Sequence, residues 1–200
     1  MKATAWSAVG VTAAGAVLAS GLVAVPATAA PTGPAASAAP VVATATMATL
    51  QPFPVLRQGP NSAFPLVTVR SLQFLLNARG ARLVVDGLFG PRTNAAVIAF
   101  QRSRGLPATG VVNAATWLRL IITVRFGSTG SAVRAVQDQI NFRNLRNGRT
   151  LVVDGIFGPR TDAAVRAFQR GVALEVPGFL VDGIVGPMTW QALISGMLSF

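Results

Sequence analysis

The side chains that carry most hydrolytic chemistry are missing from this chain or stand alone in it. Its 200 residues include no cysteine and no histidine, and the acids number only six: Asp86, Asp138, Asp154, Asp162, Glu175 and Asp182. Without His or Cys there is no usual zinc ligand set, no Ser-His-Asp triad and no cysteine nucleophile. A glycosidase needs two facing carboxylates. Here Asp86, Asp154 and Asp182 each precede a turn glycine, Asp138 and Asp162 fall at expected exposed helical positions, and Glu175 stands alone in an inserted loop. The expectation is a binding protein, not an enzyme, with no metal and no cofactor.

Binding chemistry is better supplied. Lys2 is the one lysine, so the other 16 of the 17 basic residues are arginines, against six acids, and the net charge is +11. An arginine fork holds a carboxylate or phosphate bidentately, which points to an anionic polymer as partner. Genomic base composition can also enrich Arg and Ala at the expense of Lys, so charge alone decides little. A nucleic-acid partner would need a recognition helix interleaving arginines with aromatics, and none is recognisable. The best-placed cations are Arg92 and Arg160. Each follows a Gly-Pro pair, just inside a helix start, where backbone N–H groups favour anions. A solvated arginine turned outward is the alternative.

These residues are positioned by a duplication. Leu83 to Arg102, LVVDGLFGPRTNAAVIAFQR, returns at Leu151 to Arg170 as LVVDGIFGPRTDAAVRAFQR, with 17 of 20 positions identical. Two copies of one unit suggest bivalent binding more readily than catalysis. In the first copy, Val69, Leu72, Leu75 and Leu76 have helical spacing and Gly80 stops that helix. A short apolar stretch then enters the Asp86-Gly87 turn. Pro91 starts helix two, which turns Val97 and Phe100 inward and closes at Arg104-Gly105. Helix three begins at Ala114 behind Asn113 as N-cap. The second copy repeats this layout with four extra residues around Leu145 to Arg149 and five near Glu175 to Leu180. The turn and helix start recur at Asp182-Gly183 and, in degenerate form, at Thr109-Gly110. Their aspartates are expected to accept turn N–H groups, with direct ligand contact as the alternative.

The N-terminus reads as an export signal over residues 1–29: Lys2, an uncharged apolar run from Ala8 to Val25, and a small-x-small pattern at Ala27-Thr28-Ala29. A retained membrane anchor is the alternative, since the run approaches the roughly 18 to 20 residues needed to span a bilayer. Cleavage removes Lys2 and lowers the net charge of +11 by one, to +10. Residues 30–54 are rich in Ala, Pro and Thr and read as a disordered tether. The junction Leu120-Ile121-Ile122-Thr123-Val124 is apolar and short, so the two repeats are expected to touch.

LQ followed by LLNARG, then VDGxFGPRTxxAVxxFQRxxGL, a turn and TW, resembles the peptidoglycan-binding-domain family, whose small three-helix modules accompany bacterial cell-wall hydrolases. The likeness covers both repeats, from Val55 to Leu120 and from Val124 to Leu198. It implies an all-α fold of two tandem three-helix domains, residues 55–122 and 123–200, and binding to wall peptidoglycan. The signature positions are Gln73, Asp86, Gly87, Phe89, Gly90, Thr93, Phe100, Gln101 and Trp117, then Gln137, Asp154, Gly155, Phe157, Gly158, Thr161, Phe168, Gln169 and Trp190, with Asp182 and Gly183 in the last turn. Most are expected to define the fold. Phe100, Phe168, Trp117 and Trp190 sit at core spacing, with sugar stacking as the alternative. Arg92, Gln101, Arg160 and Gln169 are the candidate ligand contacts, although an amide beside a core Phe can equally satisfy a loop backbone group. Repeat one departs from the pattern at Thr109 and Asn113 and has a longer lead-in, Arg57 to Pro65, so the two sites need not be equivalent.

The expectation is therefore a secreted, wall-associated, non-catalytic monomer that binds peptidoglycan, with no membrane contact once the signal is removed. An adaptor that docks a separate cell-wall hydrolase is the second reading, and nucleic acid the third.

Overall fold

Proline and glycine punctuation, more than strong amphipathic periodicity, sets the helix boundaries. In a computed structural model describing residues 49–60, 64–143, 151–196 and 198–199, the order is β1 (Thr49–Leu50), α1 (Leu66–Ala78), α2 (Pro91–Ser103), α3 (Ala114–Leu120), α4 (Ser131–Arg143), α5 (Pro159–Ala173), α6 (Pro187–Ser195) and β2 (Leu198–Ser199). The expected signal, most of the expected tether and the Leu145–Arg149 insertion lie outside the described residues. Among the described residues no helix is long and apolar enough to cross a membrane. The architecture is all-α, trimmed by one two-residue antiparallel pair in which Thr49 faces Ser199 and Leu50 faces Leu198.

α2, α5 and α6 each begin with proline behind an extended glycine, at Gly90, Gly158 and Gly186. Proline is suited to that position because its fixed φ matches the helix and its missing N–H would have had no partner. α3 lacks the pair and uses Asn113 instead, whose Oδ1 accepts from Thr116 N at 3.0 Å. Helix C-termini are tied down by arginine. Arg79 donates from Nε to Leu120 O and from Nη2 to Arg119 O and Ile121 O, at 3.2, 3.2 and 2.9 Å. Arg143, its counterpart, donates to Leu193 O at 2.7 Å. Both place a cation on the carbonyl end of the third helix of their repeat, the favourable end of the helix dipole.

The core runs unbroken through both repeats, from Leu72, Leu75 and Trp117 to Val136, Ile140 and Trp190. α1 packs on α4, and two polar contacts fix that docking. Gln139 Nε2 donates to Ser71 Oγ at 2.9 Å, with both residues fully buried. Arg70 grips Asp138 bidentately, Nε to Oδ2 at 2.8 Å and Nη2 to Oδ1 at 2.9 Å. Asp138 is therefore not a solvated helix residue; the second copy of helix one lies against the first and takes it out of bulk water. Asp162 is likewise engaged, with Arg166 one helical turn on, Nε to Oδ2 at 2.9 Å.

Two compositional expectations give way to packing. Residues 49–54, assigned to the tether, belong to the folded body: Phe53 is buried and stacks on Trp117, with ring centroids 6.1 Å apart, and Trp117 Nε1 donates to Pro54 O at 2.8 Å. One aromatic suffices to anchor a segment whose average composition is that of a linker. The Glu175–Leu180 insertion is not wholly a solvated loop. α5 runs on to Ala173, and Val176 and Phe179 join Val172 and Ala192 in a second small core. By contrast, Asn77 clamps both backbone groups of Leu83 at 2.9 and 2.7 Å, and Asn141 clamps Leu151 at 2.8 and 2.6 Å. The other insertion falls between Asn141 and Leu151 and leaves the framework on either side unchanged.

Candidate functional site

Four buried glutamines organise the surface around the turns. Gln73 points from α1 into the Asp86 turn, where its Nε2 donates to Asp86 Oδ1 at 2.7 Å, Leu88 O at 3.1 Å and Thr93 Oγ1 at 3.3 Å. Its Oε1 accepts from Gly87 N at 2.9 Å, and Asp86 Oδ1 also accepts from Leu88 N at 2.8 Å. The same latch recurs where Gln137 meets Asp154, Gly155, Ile156 and Thr161, and where Gln169 meets Asp182, Gly183, Ile184 and Thr189. Gln101 makes the fourth with Gly110, Val111 and Thr116; there Thr109 Oγ1 replaces the aspartate and accepts from Val111 N at 3.2 Å. Repeat one thus keeps its second turn despite its departure from the sequence pattern.

Gln101 and Gln169 are accordingly corrected from ligand contacts to structural latches. Both are essentially inaccessible, and an amide offers only two N–H groups, which the turn already occupies. The turn threonines complete the latch. Thr93 Oγ1 donates back to Leu88 O at 3.3 Å, and Thr161 and Thr189 do the same in their turns, instead of capping a helix N–H. Each turn glycine is left-handed. A Cβ on Gly87, at φ +79°, would approach Leu66 O to 3.2 Å, and one on Gly183 would collide with the Asp162 and Arg166 side chains. Asn94 and Ile98 face Gly110 in the same way. Two of the three differences between the copies, Asn94/Asp162 and Ile98/Arg166, are therefore neighbours against one turn and change together from a neutral pair to an ion pair.

Sugar stacking on Trp117 and Trp190 is excluded by burial, since neither has accessible surface and their Nε1 atoms donate to Pro54 O and Ile122 O. Phe89, Phe157 and Phe100 are buried and Phe168 half-buried.

Hydrogen bonds hold two of the turn carboxylates below the usual aspartate range near 3.8: for Asp86 chiefly the Gln73 amide and then Leu88 N–H, for Asp154 chiefly Ile156 N–H and then Gln137. A carboxylate with a depressed folded-state pKa stabilises the fold above its unfolded pKa, and that contribution is lost as pH falls through the folded value. The melting temperature is expected to drop as pH is lowered from about 5 to about 2, and Asp86→Asn with Asp154→Asn should flatten the slope in a thermal scan at each pH.

Clefts lie at the surface beside two of these turns, at Asp86 and at Asp182. The first, in repeat one, encloses about 490 Å³ between Val84, Asp86, Leu88, Pro91, Arg92 and Arg82, with the latch as its floor. Arg92 is exposed at the second position of α2 and, among the described residues, makes no ion pair. Val84 is 72% and Leu88 61% exposed, and their counterparts Val152 and Ile156 are 71% and 56% exposed. Arg160 occupies the matching exposed position on α5. These valines and their Leu and Ile partners were not singled out from sequence. Their signal is an apolar residue on the side of the turn opposite Phe89 or Phe157. The last turn carries a smaller cleft of about 160 Å³, where Met188 takes the arginine's place. Among the described residues no cluster of acids could hold a metal ion.

The sequence matches the family described as "Putative peptidoglycan binding domain" twice, over residues 67–120 and 129–193. A zinc D-Ala-D-Ala carboxypeptidase of Streptomyces albus G is 36% identical over 125 residues, covering 62% of this chain and 44% of that protein. An N-acetylmuramoyl-L-alanine amidase of Mycobacterium tuberculosis is 32% identical over 124 residues, covering 56% of this chain and 29% of the amidase. Among solved structures, the endolysin of Burkholderia phage AP3 shares 37% identity over 38% of this chain and 26% of its own, with a TM-score of 0.31. The chain spans less than half the length of these relatives. With two matched segments that together cover more than half of its residues, each carrying the Gln–Asp–Gly–Thr latch, the chain belongs to the peptidoglycan-binding domain family.

Proposed function

We propose that this protein binds the peptidoglycan of the bacterial cell wall through its two repeats and does not cleave it. The observation that carries this reading is a duplicated arrangement, in which an exposed arginine at a helix start goes with exposed apolar side chains on a latched turn. Arg92 and Arg160 take carboxylates of the stem peptide, while Val84 with Leu88, and Val152 with Ile156, cover its apolar parts. Two weak sites on one body gain avidity on a repetitive polymer through effective concentration. The lack of His and Cys and the engagement of Asp86, Asp138, Asp154, Asp162 and Asp182 in hydrogen bonds or ion pairs support a non-catalytic role. The protein acts outside the cell, at the wall, as a monomer.

A charge-assisted contact contributes about 1.5 to 3 kcal/mol, so the Arg92→Ala, Arg160→Ala variant should bind peptidoglycan at least about tenfold more weakly while melting at the wild-type temperature. Unchanged retention of a folded variant rejects this site. A second reading is favoured by the names of the relatives, a carboxypeptidase and an amidase, of which the chain matches only part: the protein positions a separate wall hydrolase. Recovery of such an enzyme with this chain from wall extracts distinguishes it.

A further inference from the structure

The two repeats meet through the same face of the same helix. Thr68, Ser71 and Leu75 of α1 are buried, and so are Ala132, Ala135 and Gln139 of α4, which hold the same places 64 positions on, as Gln137 does to Gln73. The polar contacts across this face join unlike positions. Ser71 accepts from Gln139, the counterpart of Leu75, and Arg70 pairs with Asp138, the counterpart of Phe74. One face used on both sides, with contacts between unlike positions on it, is an isologous interface and belongs to a two-fold rotation.

The ends of the folded body agree. Repeat one passes into repeat two through Ile121 to Val124. At the opposite end β2 pairs with β1, and Gln191 Nε2 donates to Gln51 O at 2.9 Å, so the close of repeat two returns to the opening of repeat one. The succession is complete after two members, whereas stacking by translation leaves those ends apart.

This relation decides what two equal sites can hold. Repeats stacked by translation offer their sites one after another along a single strand. Sites exchanged by a two-fold rotation meet a directional strand in opposite senses, and glycan strands and stem peptides are both directional. The axis itself passes between α1 and α4, whose buried contact leaves no path along it. Neither site lacks a part: Arg92 goes with exposed Val84 and Leu88, and Arg160 with exposed Val152 and Ile156.

We propose that the protein is a cross-bridge, in which Arg92 seats one peptidoglycan strand and Arg160 a second, separate one. This rests on the reading of both arginines as wall contacts and adds that a single strand does not occupy both sites.

The test mixes the whole chain with short, soluble, uncross-linked glycan strands that keep their stem peptides, some carrying a donor fluorophore at the reducing end and the others an acceptor. The expected result is energy transfer between strands that peaks at about one protein for every two strands and falls when protein is in excess. Arg92→Ala or Arg160→Ala alone should abolish the transfer while fluorescence anisotropy still reports a bound strand. Anisotropy that rises without transfer at any ratio would overturn the bridge and leave wall binding standing. Transfer that persists in the double variant would overturn it as well, because clustering by net charge would then explain the signal. No rise in anisotropy at all would reject wall binding itself, and the bridge with it.

Discussion

Replacing Gln137 with leucine is expected to destabilise the protein by about 3 kcal/mol, although the new side chain is close in size to the old. The amide is 1% exposed and connects Asp154, Gly155, Ile156 and Thr161. Leucine leaves Gly155 N–H buried without its acceptor and removes a donor from Ile156 O, and each such loss costs about 1 to 3 kcal/mol. For a body of roughly 150 residues this lowers the melting temperature by about 6 to 12 °C. Gln137→Glu separates hydrogen bonding from shape. It keeps an acceptor for Gly155 but sets a carboxylate where the amide lay 2.8 Å from Asp154. That variant should be at least as damaged at neutral pH and regain stability on mild acidification, when one proton can be shared. The wild type moves the other way because its Asp154 is stabilised as the anion. Equal midpoints for wild type and Gln137→Leu in calorimetry would remove the latch from the account.

The larger effect is expected at Trp117. Truncation to alanine removes the biggest side chain of the repeat-one core, leaves Phe53 without its stacking partner and strips the donor from Pro54 O. Large-to-small changes of this kind cost about 3 to 5 kcal/mol. Trp117→Phe keeps most of the volume and loses chiefly the hydrogen bond, about 1 kcal/mol. The shape of the transition matters as much as its midpoint. Because one core runs through both repeats and α1 is docked on α4, Trp117→Ala should shift a single cooperative urea transition. Two transitions, only one of them moved, would mean that the repeats are stable independently.

Features governed by neighbours in sequence were legible without a structure. Pro91 and Pro159 mark α2 and α5, Asn113 caps α3, and the Asp86 and Asp154 turns are where the dipeptides place them, since a few dihedral angles and one local hydrogen bond decide each. Features governed by contacts across the chain were not. Asp138 looks like a surface acid until α1 meets α4 and Arg70 closes on it. Gln101 and Gln169 look like polar contacts available to a ligand until the turn carbonyls, 10 and 15 positions ahead, consume them. A clue was present: each of the four glutamines precedes a turn glycine followed by threonine six residues on. Phe53 was hidden by averaging over alanines. The cleft was half legible, because Arg92 and Arg160 follow from helix starts, whereas the exposure of Val84, Leu88, Val152 and Ile156 depends on which face of the turn the latch turns inward.

The measurement that most directly tests wall recognition is sedimentation of the purified whole chain with insoluble peptidoglycan stripped of teichoic acid, at low salt and at about 0.5 M salt, where surface charge is screened within a few ångströms. The predicted result is that the protein pellets with the polymer under both conditions, because apolar contacts and seated arginine–carboxylate pairs survive screening. Protein left in the supernatant, or released by salt, would contradict specific recognition and reduce the attraction to the charge of an arginine-rich surface.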